Sequence, residues 1–219
     1  MFLRILLIAT AISSGLAQNE CTSVVYMSCQ AMLNTALNIS NTQPWLTPIF
    51  WRDDFELYFR KGFTGTRALC SAFEEFKACL DSSYTACTSA DFFIQRGANV
   101  NDAYIFASAF NDLLYTCEDG FEIISSNEGC FRLTWVNFGS NLRAIRQAWE
   151  SMTKILPEMA CSYGKDFVDG FEETFGRNCG IGNQAAISWG CEYALAEIFT
   201  RSPQCSLACT LPSAESIEK

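Results

Sequence analysis

Apolar residues along most of the chain recur at intervals of three and four positions, and few stretches alternate strictly between apolar and polar residues. The first spacing places apolar side chains on one face of an α-helix, whereas a half-buried strand needs alternation. No Pro/Gly/Ser-rich or charged stretch in the middle of the sequence marks a linker. The sequence therefore predicts an all-α, disulfide-stapled helical bundle, either a single compact domain or two tightly joined helical halves.

Four helices are predicted between residues 21 and 117. Their apolar positions are Val24, Val25, Cys29, Met32, Leu33 and Ala36; Phe55, Phe59 and Phe63; Leu69, Cys70, Phe73, Phe76 and Leu80; and Tyr104, Ile105, Ala107, Phe110, Leu113, Leu114 and Cys117. Asp53 and Asp54 are candidate N-caps of the second helix, because a carboxylate there accepts hydrogen bonds from the free N–H groups of the first turn. Gly62 and Gly65 are expected to break the chain before the third helix, and Asn101 to open the fourth.

Three further helices are predicted in the second part of the chain. The longest runs from about Ser140 to Leu156, and its apolar stripe consists of Leu142, Ile145, Trp149, Met152 and Leu156. The opposite face, with Arg143, Arg146 and Glu150, is expected to be solvated. The next helix is marked by Phe167, Phe171 and Phe175, and the last runs from Ile187 to Phe199 before Pro203.

The N-terminal segment 1–17 has the pattern of a secretory signal peptide. Arg4 supplies the positive charge, an apolar stretch follows, and small residues end the segment at Ala17. This predicts a secreted, extracellular protein with a cysteine-rich helical domain over 18–212 and a polar tail over 213–219. The uncharged stretch from Cys21 to Trp51 is interrupted by polar residues and prolines, so no membrane span is expected.

All twelve cysteines lie after the predicted signal peptide, and their number is even. In an oxidising compartment this predicts six disulfides, whose connectivity cannot be deduced from sequence. The cysteines are Cys21, Cys29, Cys70, Cys79, Cys87, Cys117, Cys130, Cys161, Cys179, Cys191, Cys205 and Cys209. Because the chain has no C-x-x-C pair and no histidine, no metal site and no cofactor are predicted.

One constraint on the pairing does follow from helix geometry. Cys70 and Cys79 are nine residues apart in the predicted third helix, which corresponds to about 900° of rotation at 100° per residue. Their side chains therefore project from opposite sides of that helix. We expect them to bond to two different neighbouring helices and not to each other.

The charge balance and the missing histidines restrict the function. With 24 Asp and Glu against 15 Lys and Arg, the chain lacks the basic surface that binding to nucleic acid requires. The absence of histidine excludes Ser-His-Asp and Cys-His catalysis. Adjacent carboxylates occur at Asp53/Asp54, Glu74/Glu75 and Glu172/Glu173. Since neighbours on a helix point about 100° apart, these pairs are interpreted as solvated helix faces, and no catalytic residues and no enzymatic activity are predicted.

The rows of Phe residues leave two functional hypotheses open. Such rings can fill a core or line an apolar cavity for a lipid or other hydrophobic small molecule, and periodicity does not distinguish the two. We predict a noncatalytic extracellular binding or structural module with a protein or matrix partner. The alternative is a carrier of a hydrophobic ligand. Asn38-Ile39-Ser40 is an N-glycosylation sequon at the end of the first helix.

The cysteine spacing also carries a resemblance. Cys70-x2-Phe-x2-Phe-x2-Cys79-x7-Cys87, then Leu113-Leu114-Tyr115-Thr116-Cys117-x2-Gly120 and Glu128-Gly129-Cys130, resembles the chondroitin proteoglycan 4-type domain of nematode secreted proteins. Insect haemolymph glycoproteins have a similar cysteine layout. The likeness covers roughly Cys21 to Cys130 and implies an extracellular, helical, disulfide-bonded protein without catalytic residues. Chondroitin is attached at Ser-Gly, which here occurs only within the predicted signal peptide.

Overall fold

The computed structural model describes residues 21–209, and within this range the regular secondary structure is entirely helical. The α-helices are α1 (Ser23–Ala36), α2 (Pro48–Phe59), α3 (Gly62–Leu80), α4 (Tyr84–Cys87), α5 (Ala90–Gln95), α6 (Val100–Cys117), α7 (Phe121–Ser126), α8 (Glu128–Ile155), α9 (Ala160–Cys179) and α10 (Gln184–Arg201). The predicted all-α class is confirmed. No helix in this range is long and apolar enough to cross a membrane. The predicted signal peptide and polar tail lie outside the described residues.

Six disulfides pair the twelve cysteines, and they fall into two separate sets. The first set is Cys21–Cys87, Cys29–Cys79 and Cys70–Cys117, and the second is Cys130–Cys179, Cys161–Cys205 and Cys191–Cys209. We call residues 21–117 the N-terminal half and residues 130–209 the C-terminal half. Because every bond closes within one half, the joint between the halves consists of noncovalent packing and the connecting segment 118–129.

Helix α3 is bonded to two different neighbours, as the helical geometry predicts. Cys79 bonds to Cys29 of α1, and Cys70 bonds to Cys117 of α6. The prediction that Cys70 and Cys79 do not bond to each other is therefore confirmed. These two bonds make α3 the covalent centre of the N-terminal half.

We expect the double change Cys70→Ser and Cys79→Ser to lower the free energy of unfolding by about 4 kcal/mol or more, since removing one native disulfide typically costs about 2 to 5 kcal/mol. The matched control is Ser40→Ala, which removes the Asn38 sequon at an exposed position. It should change stability by less than about 0.5 kcal/mol. Guanidinium unfolding without reductant measures both, and comparable losses in the two proteins would contradict the role of α3.

Aromatic packing joins the two halves. The ring of Phe59, from α2 of the N-terminal half, is fully buried. Its centroid lies 5.7 Å from that of Phe131 and 4.9 Å from that of Trp135, both on α8. It lies 6.1 Å from Trp189 and from Tyr193 on α10. A ring of one half is thus enclosed by four rings of the other.

The buried face of α1 differs from the predicted one. Val24, Val25 and Met32 were expected to face the core, but they are exposed to 80%, 42% and 37%. The buried face instead includes a hydrogen-bonded row of polar side chains. Their contacts are Tyr26 Oη to Gln30 Oε1 at 2.7 Å, Gln30 Nε2 to Asn34 Oδ1 at 2.7 Å and Trp51 Nε1 to Asn34 Oδ1 at 3.3 Å. Buried polar groups are tolerated when they satisfy one another in this way.

The start of α2 and the break before α3 also correct the sequence analysis. Helix α2 begins at Pro48, so Asp53 and Asp54 lie inside the helix and are not its N-caps. Gly62 does mark the break, since its φ of +70° is a conformation that L side chains rarely adopt. Gly65 lies inside α3 and does not end it. A Cβ atom there would lie 2.2 Å from the carbonyl oxygen of Tyr58. The backbones of α2 and α3 therefore approach too closely at Gly65 for a side chain.

We expect Gly65→Ala to destabilise the protein by about 2 kcal/mol, because the backbone of α2 has to move to accommodate the methyl group. Gly129→Ala is the matched control, since a Cβ atom at this helical glycine meets nothing within 4 Å. This control should be neutral or stabilising by about 0.5 kcal/mol. Thermal or chemical unfolding of the two variants checks the difference, and equal stabilities would contradict the close approach of α2 and α3.

Three later helices have different ends from the predicted ones. The last, α10, extends beyond the predicted Ile187 to Phe199 at both ends. The predicted apolar stripe of the longest helix is wrong at Leu156, which lies beyond the end of α8 and is 38% exposed. Helix α6 is capped by the Asn99 side chain, which accepts from the Asp102 N–H, so Asn101 does not open it. Helix α8 starts at Glu128 and is longer than the predicted Ser140 to Leu156. Its expected solvated face is wrong in part, because Arg146 and Glu150 are buried. The short helices α4, α5 and α7 were not predicted, since one or two turns show little periodicity.

Candidate functional site: a buried charge cluster at the joint

Six charged or ionisable side chains meet where the two halves join. The N-terminal half contributes Arg52 and Glu56 from α2 and Asp112 from α6, and the C-terminal half contributes Arg146 and Glu150 from α8 and Glu197 from α10. Each is at most 5% exposed. We call these six residues the charge cluster. Arg52 and Glu56 are four residues apart, as are Arg146 and Glu150, which places each pair on one face of its helix.

Arg52 connects its half to two carboxylates of the other half. Its Nη2 lies 2.8 Å from Oε1 of Glu150, and its Nη1 lies 3.1 Å from Oε1 of Glu197. A guanidinium presents its N–H groups in a rigid plane, so two simultaneous bonds fix the relative position of the helices that carry the carboxylates. Arg52 therefore sets the position of α2 against both α8 and α10.

Arg146 makes the reciprocal connection from the C-terminal half. Its Nη1 forms an ion pair with Oε1 of Glu56, and its Nε lies 2.8 Å from Oε2 of Glu197. The Tyr193 hydroxyl donates to Oε1 of Glu56 at 3.4 Å. Arg143 lies at the edge of the cluster, with Nη1 3.9 Å from Oε2 of Glu56. Each half thus supplies an arginine to a glutamate of the other.

Aromatic rings separate the cluster from water. The guanidinium carbon of Arg146 lies 5.6 Å from the ring centroid of Phe171 and 5.4 Å from that of Tyr193. Both rings are fully buried. Coulomb interactions are stronger in such an environment of low dielectric constant than at the surface. The same environment makes any unpartnered charge costly.

Asp112 is the member of the cluster that lacks a partner. Neither of its carboxyl oxygens has a hydrogen-bond partner among residues 21–209, and Thr116 Oγ1, one helical turn away, has none in this range either. Burial, reinforced by the negative charge of Glu197, raises the pKa of Asp112 well above its usual range. Burial of Asp112 thus favours its neutral acid over its carboxylate.

The two glutamates that bind Arg52 respond differently to their surroundings. Burial raises the pKa of Glu197 to about 7, although Arg52 and Arg146 oppose this shift. Burial also opposes the ionisation of Glu150, but Arg52 and Arg146 outweigh it and lower the pKa of Glu150. Glu150 is thus the firmly ionised partner, and Glu197 is the one that can hold a proton near neutral pH.

The adjacent carboxylates singled out in the sequence do not assemble into a site. Glu74, Glu75 and Glu173 are exposed, whereas Asp53, Asp54 and Glu172 are half-buried. Burial raises the pKa of each of these three half-buried carboxyls. Asp53 has a cation nearby, with Oδ1 3.8 Å from Nε of Arg143. The pairs lie on α2, α3 and α9 respectively, and no pair converges with another among the ion pairs and hydrogen bonds of the described residues.

One group of potential metal ligands occurs within residues 21–209. It consists of Glu172, Cys191 and Cys209, whose ligand atoms lie within 4.8 Å of one another. Cys191 and Cys209 are bonded to each other. Since zinc is bound by thiolates and not by disulfide sulfurs, this arrangement offers a metal one carboxylate only.

The Phe residues that could line a cavity pack against one another. Phe55, Phe59, Phe167, Phe171 and Phe175 are all buried, and Phe63 is half-buried at the edge of the core. The ring centroids of Phe167 and Phe171 are 5.0 Å apart, within the usual distance for aromatic pairs. A groove of about 380 Å³ lies between α6 and α10, is lined in part by Leu114, Tyr115 and Phe199, and is open to solvent.

No protein-family model, no curated protein and no solved structure matches this chain. The cluster is buried and its guanidiniums and glutamates bind one another, so its chemistry is that of a connection between helices.

Sequence reasoning missed the charge cluster. The available signal was the pair of Arg and Glu residues four positions apart on α2 and again on α8. The same spacing is common on solvated helices, where such pairs add modest stability. A second signal is Glu197, one of two glutamates within the mainly apolar stretch Ile187 to Phe199. Burial of the cluster depends on partners as far as 145 positions away in sequence.

We expect Arg146→Met to lower the free energy of unfolding by about 3 to 5 kcal/mol, because it leaves Glu56 buried without its cation. Adding Glu56→Gln should recover part of this loss. The control is Arg177→Met, which removes the ion pair with Glu173 on α9, where the two side chains are 72% and 62% exposed. Exposed pairs contribute less than about 1 kcal/mol. Chemical unfolding at pH 7 gives these values, and equal losses at the two arginines would show that the cluster does not hold the joint.

Proposed function

We propose that this chain is a secreted, noncatalytic module that acts outside the cell by binding a protein or matrix partner or as a structural component. The observation that carries the proposal is the use of all twelve cysteines in disulfides. Disulfides of this number persist in oxidising compartments and are rare in the cytosol. The predicted signal peptide over residues 1–17 supports the same route.

The resemblance to chondroitin proteoglycan 4-type domains supports an extracellular role. The stretch that carries it, roughly Cys21 to Cys130, nearly coincides with the N-terminal half. That half is closed by its own three disulfides. A covalently closed helical unit of this kind is suited to use as a module.

The interior supports a noncatalytic role over catalysis. Glu56, Glu150 and Glu197 are bound to Arg52 or Arg146, and these three carboxylates and Asp112 are at most 5% exposed. General acid and base catalysis needs a carboxyl within hydrogen-bond reach of a substrate. The adjacent carboxylates singled out in the sequence lie on three different helices, α2, α3 and α9.

Three exposed apolar side chains lie within five positions at the end of α8. Ile155, Leu156 and Met159 are exposed to 68%, 38% and 42%. Contiguous exposed apolar residues are typical of protein contact sites, whereas single ones are common everywhere. This patch supports binding as the mode of action.

Expression of the full chain in a secreting eukaryotic cell tests the compartment. We expect the protein in the medium to start at Gln18 and to have no free thiols by mass spectrometry with and without reductant. Ser40→Ala should remove any glycan from Asn38, which is exposed just after α1. Retention inside the cell with more than two free thiols would contradict the proposed secretion.

Binding is tested with the purified secreted protein and a patch variant, Ile155→Ser with Met159→Ser. A partner crosslinked to the wild type should be lost with the variant and should bind again when purified and mixed with wild type. Native mass spectrometry of the same preparation tests the carrier alternative. The packed rings favour an absence of lipid, and a stoichiometric copurifying lipid would favour the carrier instead.

A further inference from the structure

The joint between the halves contains more negative than positive groups. Within the charge cluster the carboxyls of Glu56, Glu150, Glu197 and Asp112 face the guanidiniums of Arg52 and Arg146. Full ionisation would leave an excess of two negative charges in the interior. Such an excess is costly where water cannot reach it.

Two further arginines lie at the edge of the cluster and compensate only in part. Arg143 approaches Glu56 at 3.9 Å. Arg201 donates through Nη2 to the backbone carbonyl of Glu150 at 3.4 Å and to the side chain of Asn101. Both arginines are partly exposed, so solvent weakens their effect on the interior. Retained protons are the remaining way to lower the negative charge.

The geometry indicates where those protons lie. Asp112 has no hydrogen-bond partner among residues 21–209, so no hydrogen bond in this range would stabilise its carboxylate. Glu197 is shared between the two guanidiniums and also lies near the ionised Glu150. Interacting carboxyls of this kind titrate as a group, and one of them keeps its proton to higher pH than an isolated carboxyl does.

We propose that the charge cluster is a proton-linked clamp: retained protons hold the two halves together, and their loss in a more alkaline medium loosens the joint while each half keeps its three disulfides. The absence of a crossing disulfide within residues 21–209 permits this separation. Opening would uncover the rings of Phe59, Trp135 and Tyr193, which are buried in the closed protein.

Charged and titratable groups reach Glu197 from three neighbouring helices and from α10 itself. Its electrostatic neighbours are Arg52 of α2, Asp112 of α6, Arg146 and Glu150 of α8, and Arg201 of α10. Glu56 of α2 and Tyr193 of α10 interact with Asp112 in turn. Among the described contacts of the cluster, α9 adds the uncharged ring of Phe171.

The sign of the effect follows from the pKa directions. A glutamate in the unfolded chain has a pKa of ~4.3, whereas the pKa of Glu197 in the folded protein is raised to about 7. Its contribution is complete below the unfolded value and is lost as pH rises through about 7. The raised pKa of Asp112 acts in the same direction. Glu150 acts oppositely, because its pKa is lowered, and weakens the joint only in more strongly acidic solution.

Hydrogen exchange measured by mass spectrometry on the full, disulfide-intact chain between pH 5 and pH 8 tests the clamp. After correction for intrinsic exchange, the opening equilibrium at the facing surfaces of α6 and α10 should rise with pH, by at most about tenfold per pH unit for each proton released. Helices α1 and α3, which are bonded through Cys29 and Cys79, should stay protected.

Variants distinguish proton release from the charge cluster from the titration of other carboxyls in the protein. Glu197→Gln mimics the protonated acid, so it should flatten the pH dependence of opening and keep the joint closed at pH 8. If Glu197→Gln does not fold, Asp112→Asn takes its place and should have the same effect. Glu172→Gln is the control, because burial raises its pKa too but it lies beside the Cys191–Cys209 disulfide within one half. The proposal is overturned if the opening equilibrium does not depend on pH. It is also overturned if Glu197→Gln keeps the wild-type dependence of opening on pH, as the control Glu172→Gln should, or if α1 and α3 open together with the joint.

Discussion

The reciprocal binding of Arg52 and Arg146 to glutamates of the opposite half is the interaction on which the joint depends. The disulfides fix each half internally and leave the placement of one half against the other free. Aromatic burial pulls the halves together, but this force has little directional preference. Ion pairs between rigid guanidiniums and carboxylates are directional and cannot be left unmatched in the interior. They therefore select one register of α2 against α8 and α10.

Features that depend on local periodicity could be predicted from the sequence. The helical class and the opposed bonds of Cys70 and Cys79 follow from spacing along a helix. The disulfides follow from the even number of cysteines after the predicted signal peptide. The charge cluster could not be predicted, because Arg146 and Glu150 have the same spacing as a solvated ion pair. Their burial is decided by Arg52 and Glu56, which lie 98 and 90 positions away from their partners. A pattern read along one helix contains no information on such a partner.

The polar face of α1 shows that burial is also hard to predict from sequence within a single helix. Val24 was expected inside and is 80% exposed, whereas Gln30 is 1% exposed. Hydropathy ranks these residues in the opposite order, because it treats each side chain as if it were alone. Gln30 receives a hydrogen bond from Tyr26 and donates one to Asn34, so its burial leaves the amide satisfied. Burial of polar residues in this protein is thus a property of connected groups.

Replacing a buried ionic network by apolar residues often raises stability, so the charge cluster is not explained by stability alone. The disulfide pattern suggests what it adds. Because all bonds close within residues 21–117 or within residues 130–209, each half can complete its oxidation before the halves meet. Docking of two finished apolar faces would tolerate several registers. A wrong register would bury Arg52, Arg146 and their glutamates without partners, which costs several kcal/mol per charge, and the cluster thereby penalises incorrect docking.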